Sequence, residues 1–370
     1  MRFKDIIGQT ETISTLRYMV EADRLPHALL LLGPPGIGKR TLALALSQYL
    51  LCTQRTDGDS CGECASCVKT SKLIHPDVHF SFPVVGAGMT SDKFMVQWRK
   101  ALQENPYQDS NQWLQLIGAE NKQGNINKDE CQNIIRKLSL KTFEAPVKTL
   151  ILWLPEYLGN EGNRLLKLIE EPPPATHFIL IAENAELILN TILSRCQLVK
   201  IPMLNDQDIV DGLLRQELCP EDKAWGIAHL SDGNFNEAIT LAANKISNDA
   251  ALLLDWLRKC YKGYGPEMVK WSESFATLGR ENQKHFLQYA LHFMREFLIM
   301  MVTGSTNARL QAEELSSAQN LAKVLNVDQV EQIVRLFNNC YQYVERNANP
   351  KILFLDASIQ LHKTMKRWDV

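Results

Sequence analysis

Three short runs of apolar residues in the first half of the chain have the length and composition of buried strands. They cover residues 28–32, 147–154 and 176–182. The helix-forming segments that follow them cover residues 41–50, 163–171 and 185–194. Short apolar runs that alternate with helical segments are typical of β–α–β units, in which the strands lie parallel. The pattern therefore predicts an α/β domain built on a parallel sheet.

The pattern changes after Pro202, where apolar residues recur at helical spacing and no further strand-like run appears. Short helices are predicted up to residue 247, with Gly233 at a break between two of them. From residue 248 to residue 370 the amphipathic patterns are longer and carry no cluster of reactive side chains. We predict three parts: an α/β domain over 1–203, a small helical domain over 204–247 and an all-helical domain over 248–370.

Composition and charge exclude several classes of protein. The 370 residues contain 40 Lys plus Arg against 42 Asp plus Glu, so no overall basic charge points to nucleic acid and no acidic excess points to disorder. The sequence opens without a signal-peptide core. Its longest apolar stretch, 286–302, contains His292, Arg295 and Glu296 and predicts a buried helix rather than a membrane span. We expect a cytoplasmic protein without a membrane segment.

A nearly complete phosphate-binding loop, Gly-Pro-Pro-Gly-Ile-Gly-Lys-Arg-Thr over residues 33–41, follows the first strand. Glycines in such a loop let backbone N–H groups face phosphate oxygens, and the next helix presents its positive end to the same anion. A lysine adds a point charge. The candidate nucleotide-binding residues are Gly33, Gly36, Gly38 and Lys39. A glycine- and proline-rich turn with no nucleotide role is the alternative.

The loop departs from the complete motif at the position that normally holds Mg²⁺. Ser or Thr is expected after the lysine, but the chain has Arg40, and Thr41 lies about 100° further around the helix. The second strand also ends without the acidic pair that positions Mg²⁺ and water, since its exit is Trp-Leu-Pro-Glu over 153–156. We therefore predict that the chain does not hydrolyse ATP. Whether ATP or ADP still binds is left open by the sequence.

Four of the nine cysteines lie in one segment with the spacing C-x8-C-x2-C-x2-C. They are Cys52, Cys61, Cys64 and Cys67. The two overlapping C-x2-C steps and the eight-residue return loop can bring four thiolates around one tetrahedral Zn²⁺. Four protein ligands leave no open position, so this zinc would be structural. Disulfides, which are rare in a reducing compartment, and free thiols are the alternatives.

Several sequence blocks beyond these two motifs follow one another along the chain. They are Ile7-Gly8-Gln9, His27-Ala28, His75-Pro76-Asp77, the block Asn-Arg-Leu-Leu-Lys-Leu-Ile-Glu-Glu-Pro-Pro over 163–173 and Thr-Ile-Leu-Ser-Arg-Cys over 191–196. In this order, together with the altered loop and the four cysteines, they resemble bacterial DNA polymerase III clamp-loader subunits of the AAA+ class over roughly residues 3–245. The resemblance implies an AAA+ domain with an inserted zinc module over 52–67, a helical lid and a C-terminal helical collar.

Within that family, the altered loop and the missing acids resemble the delta-prime type of subunit rather than the ATP-hydrolysing tau/gamma type. The sensor positions agree, because the expected polar residue falls at Ala182 or Glu183 and the expected arginine falls at Asn236. The resemblance implies a mainly structural subunit that supports ATP-dependent loading of a sliding clamp onto primed DNA. Its implied partners are tau/gamma and delta subunits in a hetero-pentameric ring. A tau/gamma-type motor with an unusual site is the alternative.

The Ser-Arg-Cys block supplies the residue that this resemblance links to catalysis. It implies that Arg195 reaches into the ATP site of a neighbouring subunit and stabilises charge on the transferring phosphoryl group. A surface arginine at a helix end is the alternative. One stretch, about 82–125, is longer than usual in the family and is studded with aromatic residues. We expect it to pack mainly on its own domain, with a partner surface as the alternative, and assign it no function.

Overall fold

The computed structural model of the chain describes residues 1–119, 122–243, 249–304, 310 and 312–366. The chain divides into two compact units, each with most of its contacts inside itself. The first comprises Met1–Ala224 and Ser231–Thr240, and the second comprises Trp225–Leu230 and Leu241–Val370. The three-part division with a lid over 204–247 stays a prediction, and the end of that lid lies outside the described residues.

The first unit is built on one sheet of five parallel strands in the order β2-β3-β4-β1-β5. The strands are β1 Ala28–Leu32, β2 Val78–Ser81, β3 Lys148–Trp153, β4 Thr176–Ala182 and β5 Gln197–Lys200. The three predicted strands are confirmed as β1, β3 and β4. The sequence did not indicate β2 and β5, which are four-residue edge strands with one neighbour each, so polar side chains interrupt them.

Helices connect the strands and cover both faces of the sheet. The α-helices of this part are α1 Thr10–Glu21, α2 Lys39–Leu51, α3 Ala65–Ser71, α4 Met95–Glu104, α5 Ser110–Leu116, α6 Lys128–Ser139, α7 Leu166–Glu170, α8 Asn190–Leu193 and α9 Asp206–Arg215. Two further helices, α10 Glu221–Ser231 and α11 Phe235–Ala243, each contain residues of both units. The 3-10 helices are Phe3–Asp5, Ser91–Phe94, Pro155–Leu165 and Ala185–Leu187.

Two predicted helices are shorter and less regular than expected. The segment 163–171 begins in the 3-10 helix Pro155–Leu165, which contains a non-helical Gly159, and only Leu166–Glu170 is α-helical. The segment 185–194 is divided by Ile188, whose extended backbone separates a 3-10 turn from α8. In both connections, 3-10 structure precedes one short α-helix.

Alternating side chains of the strands fill two cores, one on each face of the sheet. Leu29 and Leu31 pack with α2 and the aromatic residues of the insertion, whereas Ala28 and Leu30 pack with α6, α7 and α8. All thirteen residues of α2 are buried. This helix directly follows the phosphate-loop sequence, so its position in the core fixes where the loop lies.

The second unit is helical throughout its described part, as the amphipathic patterns predict. Its helices are α12 Asp249–Lys262, α13 Gly265–Ala276, α14 Arg280–Thr303, α15 Ala312–Leu321, α16 Val327–Glu345 and α17 Pro350–Lys366. Trp256 is central to its core: the ring stacks on Trp271 at 4.7 Å, and its Nε1–H donates to Ser358 Oγ at 2.9 Å. In the described part of the chain, every helix is too short or too polar to cross a membrane.

The His75-Pro76-Asp77 block has a structural role at the start of β2. The Asp77 carboxylate, which is 3% exposed, accepts backbone N–H groups from Phe143 at 2.5 Å and from Glu144 and Ala145 at 2.9 Å. Burial by itself would raise the pKa of Asp77, but these hydrogen bonds outweigh it and lower that pKa. One side chain thereby ties the segment before β3 to the beginning of β2.

Asp77→Asn should lower the free energy of unfolding by about 2–3 kcal/mol at pH 7. The substitution removes the charge-assisted hydrogen bonds and places an amide N–H₂ against backbone donors. The folded-state pKa of Asp77 is lowered, so its contribution is present above the ordinary value and disappears as the pH falls through the folded value. Hydrogen exchange of β2 and β3 amides at pH 7, with unfolding midpoints down to pH 3, measures both effects.

Asp211→Asn on the exposed side of α9 is the matched control and should change neither quantity. Equal exchange protection in Asp77→Asn and the parent chain would contradict the structural role.

Candidate functional site

The phosphate-loop sequence connects β1 to α2 and has the backbone conformation that its glycines permit. Gly36 and Gly38 adopt positive φ angles of 73° and 93°, which most side chains would strain. The Gly33 N–H donates to the carbonyl of Ala182 at 3.2 Å, which joins the loop to the end of β4. The loop therefore lies at the carboxyl edge of the sheet, where ligands of open parallel sheets bind.

Lys39, the loop lysine, is directed at its own loop. It is 5% exposed, and its Nζ donates to the carbonyl of Pro34. Burial lowers the pKa of Lys39 to about 8, while the carboxylate of Glu183 opposes the shift and the charge of Arg40 adds to it. Lys39 is thus still mainly charged at pH 7, but its ammonium group is used to close the loop on itself.

Arg40, the residue in place of the Mg²⁺-binding hydroxyl, is an internal side chain. Its guanidinium lies over the ring of Trp153 at 4.3 Å and near that of Trp98 at 5.8 Å, and Nη2 donates to the carbonyl of Gln108. Burial lowers the pKa of Arg40, yet a guanidinium stays charged inside proteins. A desolvated cation–π contact of this kind contributes about 2 kcal/mol or more. Arg40 therefore fills the space beside the loop.

Two oxygen groups near the loop, the Thr41 hydroxyl and one oxygen of Glu156, are hydrogen-bonded within the chain. The Thr41 hydroxyl donates to the carbonyl of Gly38 at 2.6 Å. Glu156 lies beyond the end of β3, and its Oε1 accepts the N–H groups of Glu183 at 2.5 Å and Asn184 at 2.8 Å. The sequence presents Arg40 and the Trp-Leu-Pro-Glu exit as two separate losses. In the fold they are one contact, because Trp153 is the surface on which Arg40 lies.

Side chains of the chain itself lie on the loop glycines, and the sequence did not indicate them. The Phe235 N–H donates to the carbonyl of Gly36 at 3.0 Å, and a Cβ on Gly36 would stand 1.6 Å from Asn234 Oδ1. The Tyr107 ring packs against Phe235 at 4.9 Å, and a Cβ on Gly38 would stand 3.2 Å from Tyr107. Both segments are distant in sequence from the loop, so no local motif could reveal them.

The positions that correspond to family sensors lie beside the same loop. The Ala182 carbonyl accepts the Gly33 N–H, and burial raises the pKa of the adjacent Glu183 while the charge of Lys39 opposes that shift. The Asn236 Oδ1 accepts from the Asn105 side chain at 2.7 Å. The carboxamide at the expected arginine position is therefore bonded to the insertion.

The insertion packs on its own domain, as expected. The rings of Trp98 and Trp113 are almost fully buried, and Phe82 stacks on Trp98 at 4.1 Å. Reciprocal backbone hydrogen bonds of 2.9 Å between Val84 and Asn125 close the base of the insertion. This packing delivers residues 105–108 to the phosphate loop.

The four cysteines converge as their spacing predicts. All four Sγ atoms lie within 4.8 Å of one another, with Cys52–Cys61 at 3.7 Å and Cys61–Cys67 at 3.9 Å. Metal–sulfur bonds of about 2.3 Å place tetrahedral ligands about 3.8 Å apart, whereas a disulfide requires about 2.05 Å. All four thiols are free. The cluster therefore has the size of a four-thiolate metal site and could hold a metal.

Backbone N–H groups point at three of the four sulfur atoms. The N–H groups of Cys61, Cys64 and Cys67 donate to the Sγ atoms of Cys52, Cys61 and Cys64 at 3.3, 3.3 and 3.5 Å, respectively. Burial would raise the pKa of Cys64, but hydrogen bonds from Thr53 and Cys67 outweigh it and lower that pKa to about 6. Burial instead raises the pKa of Cys52 and Cys67, so the backbone favours the thiolate at Cys64, and a bound cation would be needed to favour it at those two.

Arg195 follows α8 and precedes β5, and its side chain lies against α7. Nε and Nη2 donate to Glu170 Oε2 at 3.1 and 2.9 Å, and Nη1 donates to the carbonyl of Thr191 at 2.9 Å. About a third of the side chain, 31%, is exposed. The guanidinium is therefore held in one orientation at the surface.

Arg195 and the phosphate loop lie at opposite ends of the parallel strands: Arg195 at their amino ends and the loop at their carboxyl ends. The strand β5 runs parallel to β1 and pairs Gln197 with Leu29 and Lys200 with Leu32. The loop follows the carboxyl end of β1, whereas Arg195 precedes the amino end of β5, and the four residues of β5 alone span about 13 Å. Lys39 and Arg40 therefore lie near the carboxyl ends of the strands, whereas Arg195 lies near their amino ends.

A family described as DNA polymerase III, delta subunit, matches residues 8–205. The chain is 29% identical over 237 residues to DNA polymerase III subunit delta' of Bacillus subtilis, which covers 64% of this chain and 60% of that protein. The corresponding Escherichia coli protein is 27% identical over 224 residues, with 60% and 56% covered.

Subunit tau of Bacillus subtilis is 22% identical over 387 residues, with 98% of this chain and 62% of that protein covered. The chain thus spans about three fifths of the length of these curated relatives. Relatives named delta' and tau confirm the predicted resemblance. Because the matched segment exceeds half of the 370 residues, the chain belongs to the DNA polymerase III delta subunit family.

Proposed function

We propose that this chain acts as the delta-prime subunit of a DNA polymerase III clamp loader and supports ATP-dependent loading of a sliding clamp onto primed DNA. In this proposal the chain does not hydrolyse ATP itself. It supplies Arg195 to the ATP site of a neighbouring subunit. The observation that carries the proposal is the separation of a filled phosphate loop from a surface arginine at the opposite edge of one sheet.

The packing around its own phosphate loop supports the proposal that the chain does not hydrolyse ATP. Phosphoryl transfer needs a metal held against the phosphates and an oriented water. Arg40 packs on Trp153 at the position of the metal-binding hydroxyl, and one oxygen of the Glu156 carboxylate is bonded to backbone N–H groups beyond β4. Asn234 and Tyr107 also pack closely on Gly36 and Gly38, so side chains of the same chain lie against the loop glycines.

The position of Arg195 supports the proposal that this residue acts at the ATP site of a neighbouring subunit. A guanidinium stabilises developing charge on a transferring phosphoryl group, and the sheet separates Arg195 from the loop of its own chain. Any triphosphate that it contacts must therefore belong to another subunit. We infer that the partners are tau/gamma-type motor subunits and a delta subunit in a hetero-pentameric ring. The sliding clamp and primed DNA would be engaged through the assembled complex.

We further propose that the cysteine cluster binds one structural Zn²⁺. Thiolates at tetrahedral distances favour zinc over Mg²⁺ or Ca²⁺, which prefer oxygen ligands. Four protein ligands leave no place for a substrate. The zinc would hold the loop between α2 and α3 in shape.

The purified chain should show no Mg²⁺-dependent ATP hydrolysis above background, because neither Mg²⁺ anchor is present near Lys39. Phosphate release with and without primed DNA measures this, with Lys39→Ala as the paired variant. Both proteins should give the same background rate. A steady turnover that Lys39→Ala abolishes would instead support a tau/gamma-type motor.

The chain should purify with about one zinc ion, and Cys64→Ser should lose it, because three thiolates hold the metal much less tightly than four. Elemental analysis measures the zinc, and hydrogen exchange of α3 should increase in the variant. Cys219→Ser, outside the cluster, is the control and should keep its metal. Unchanged zinc in Cys64→Ser would exclude the proposed ligand set.

Arg195→Ala should leave assembly with the motor subunits intact and lower clamp- and DNA-stimulated ATP hydrolysis. Arginine fingers contribute on the order of 10³-fold at the site they serve, but other motor sites would keep their own fingers and limit the total loss. Arg195→Lys should behave similarly, because lysine keeps the charge and loses the planar fork.

Hydrolysis and clamp loading by the reconstituted complex measure this effect. Arg136→Ala on α6 removes an exposed arginine that bonds only Asn133 in the described structure, and it should have no effect. Normal loading by the Arg195→Ala complex would show that Arg195 is an ordinary surface residue.

A further inference from the structure

The guanidinium of Arg195 is held along one side and left open at its tip. A guanidinium carries five N–H groups. Three are used: those on Nε and Nη2 that reach Glu170 Oε2, and one on Nη1 that reaches the Thr191 carbonyl. Among the residues that the structure describes, the remaining N–H groups, one on Nη1 and one on Nη2, have no hydrogen-bond acceptor.

These contacts determine which edge of the guanidinium remains available. Glu170 occupies the side edge formed by Nε and Nη2, and the Thr191 carbonyl accepts one N–H of Nη1. The free N–H groups therefore belong to the two terminal nitrogens, one on each, and the side chain is 31% exposed. Two N–H groups on neighbouring nitrogens form the fork that binds two oxygens of one phosphate. Glu170 thus leaves the phosphate-binding edge open.

The position of Glu170 is itself well defined. It is the last residue of α7, directly after Ile169, which is 2% exposed and packs in the core below the sheet. Prolines at 172–174 end the helix. The Thr191 carbonyl belongs to α8, which packs against α7. Two core-anchored helix ends therefore fix the orientation of one surface side chain.

We propose that Glu170 is a positioning residue for the phosphoryl-transfer reaction and presents Arg195, tip outward, to a triphosphate bound by a neighbouring subunit. This inference rests on the proposed function. The carboxylate orders the long arginine side chain before the subunits meet, so that less freedom is lost when the finger engages.

A purely stabilising role does not fit the exposure of the pair. The Glu170 side chain is 57% exposed, and exposed ion pairs contribute little to the stability of a fold. Its loss should therefore leave folding and assembly unchanged. A blocking role does not fit the geometry either, because the carboxylate binds the side edge and leaves the terminal fork free.

The test uses the reconstituted clamp loader with Glu170→Ala, Glu170→Gln and Arg195→Ala in this chain. Glu170→Ala should lower kcat about 3- to 10-fold at the site that Arg195 serves, because ordering one long side chain is worth a factor of that size. The activity of that site is the part of the total hydrolysis that Arg195→Ala removes. KM for ATP should stay within about twofold, because the finger acts on charge that develops in the transition state. Glu170→Gln keeps an oxygen acceptor and should lose less.

Glu171→Gln is the matched control: it removes the same charge one residue away and leaves the Arg195 contacts in place. The double variant Glu170→Ala with Arg195→Ala should be no slower than Arg195→Ala alone, because Glu170 acts only through the arginine.

Full activity of Glu170→Ala in a complex that Arg195→Ala impairs would overturn the positioning role and leave the proposed function standing. Faster hydrolysis by Glu170→Ala would also overturn it, because the carboxylate would then restrain the finger. If Arg195→Ala itself has no effect, the proposed function fails and this inference fails with it.

Discussion

The contact between the Arg40 guanidinium and the Trp153 ring is the interaction on which the whole loop region depends. A buried cation must find compensation inside the protein, since no water is available to it. Trp153 provides a π face and the Gln108 carbonyl provides an acceptor. Gln108 comes from the insertion, so the insertion must lie on the loop for the charge to be tolerated. Tyr107, its neighbour in sequence, is then necessarily brought onto Gly38.

In a ring of phosphate-loop ATPases, a subunit binds a nucleotide in its own loop and also contributes an arginine to a neighbour's site. In the proposed function, this chain keeps only the second role. At the carboxyl ends of the strands, side chains of the same chain pack on the loop, and the Phe235 N–H donates to the carbonyl of Gly36. At the amino edge, the surface arginine keeps an open fork. In the proposed function, the filled loop and the exposed arginine belong together: the first leaves the chain without hydrolysis of its own, and the second assists hydrolysis at another subunit.

The sequence revealed features whose cause is local and missed those whose cause is distant. The runs of β1, β3 and β4 are apolar because each has a neighbour on both sides, whereas the edge strands β2 and β5 carry polar residues and leave no such run. The loop and the cysteine cluster are encoded by spacing within a few residues. Tyr107 and Asn234 reach the loop only through tertiary packing, and the pairing of Arg195 with Glu170 joins two separate helix ends. No periodicity or motif contains that information.

The central helix α2 connects the two unusual features of the chain. It begins at Lys39 beside the filled loop and ends at Leu51, and Cys52 of the metal-type cluster forms its C-terminal cap. Its thirteen buried residues span about 20 Å. In an ATPase the first turn of such a helix is held by phosphate, whose arrival and departure can shift it. Here Arg40 holds that turn from inside the core, and a metal at the cysteines would hold the other end. With a metal bound, both ends of the helix would be held by groups of the chain itself and by that metal.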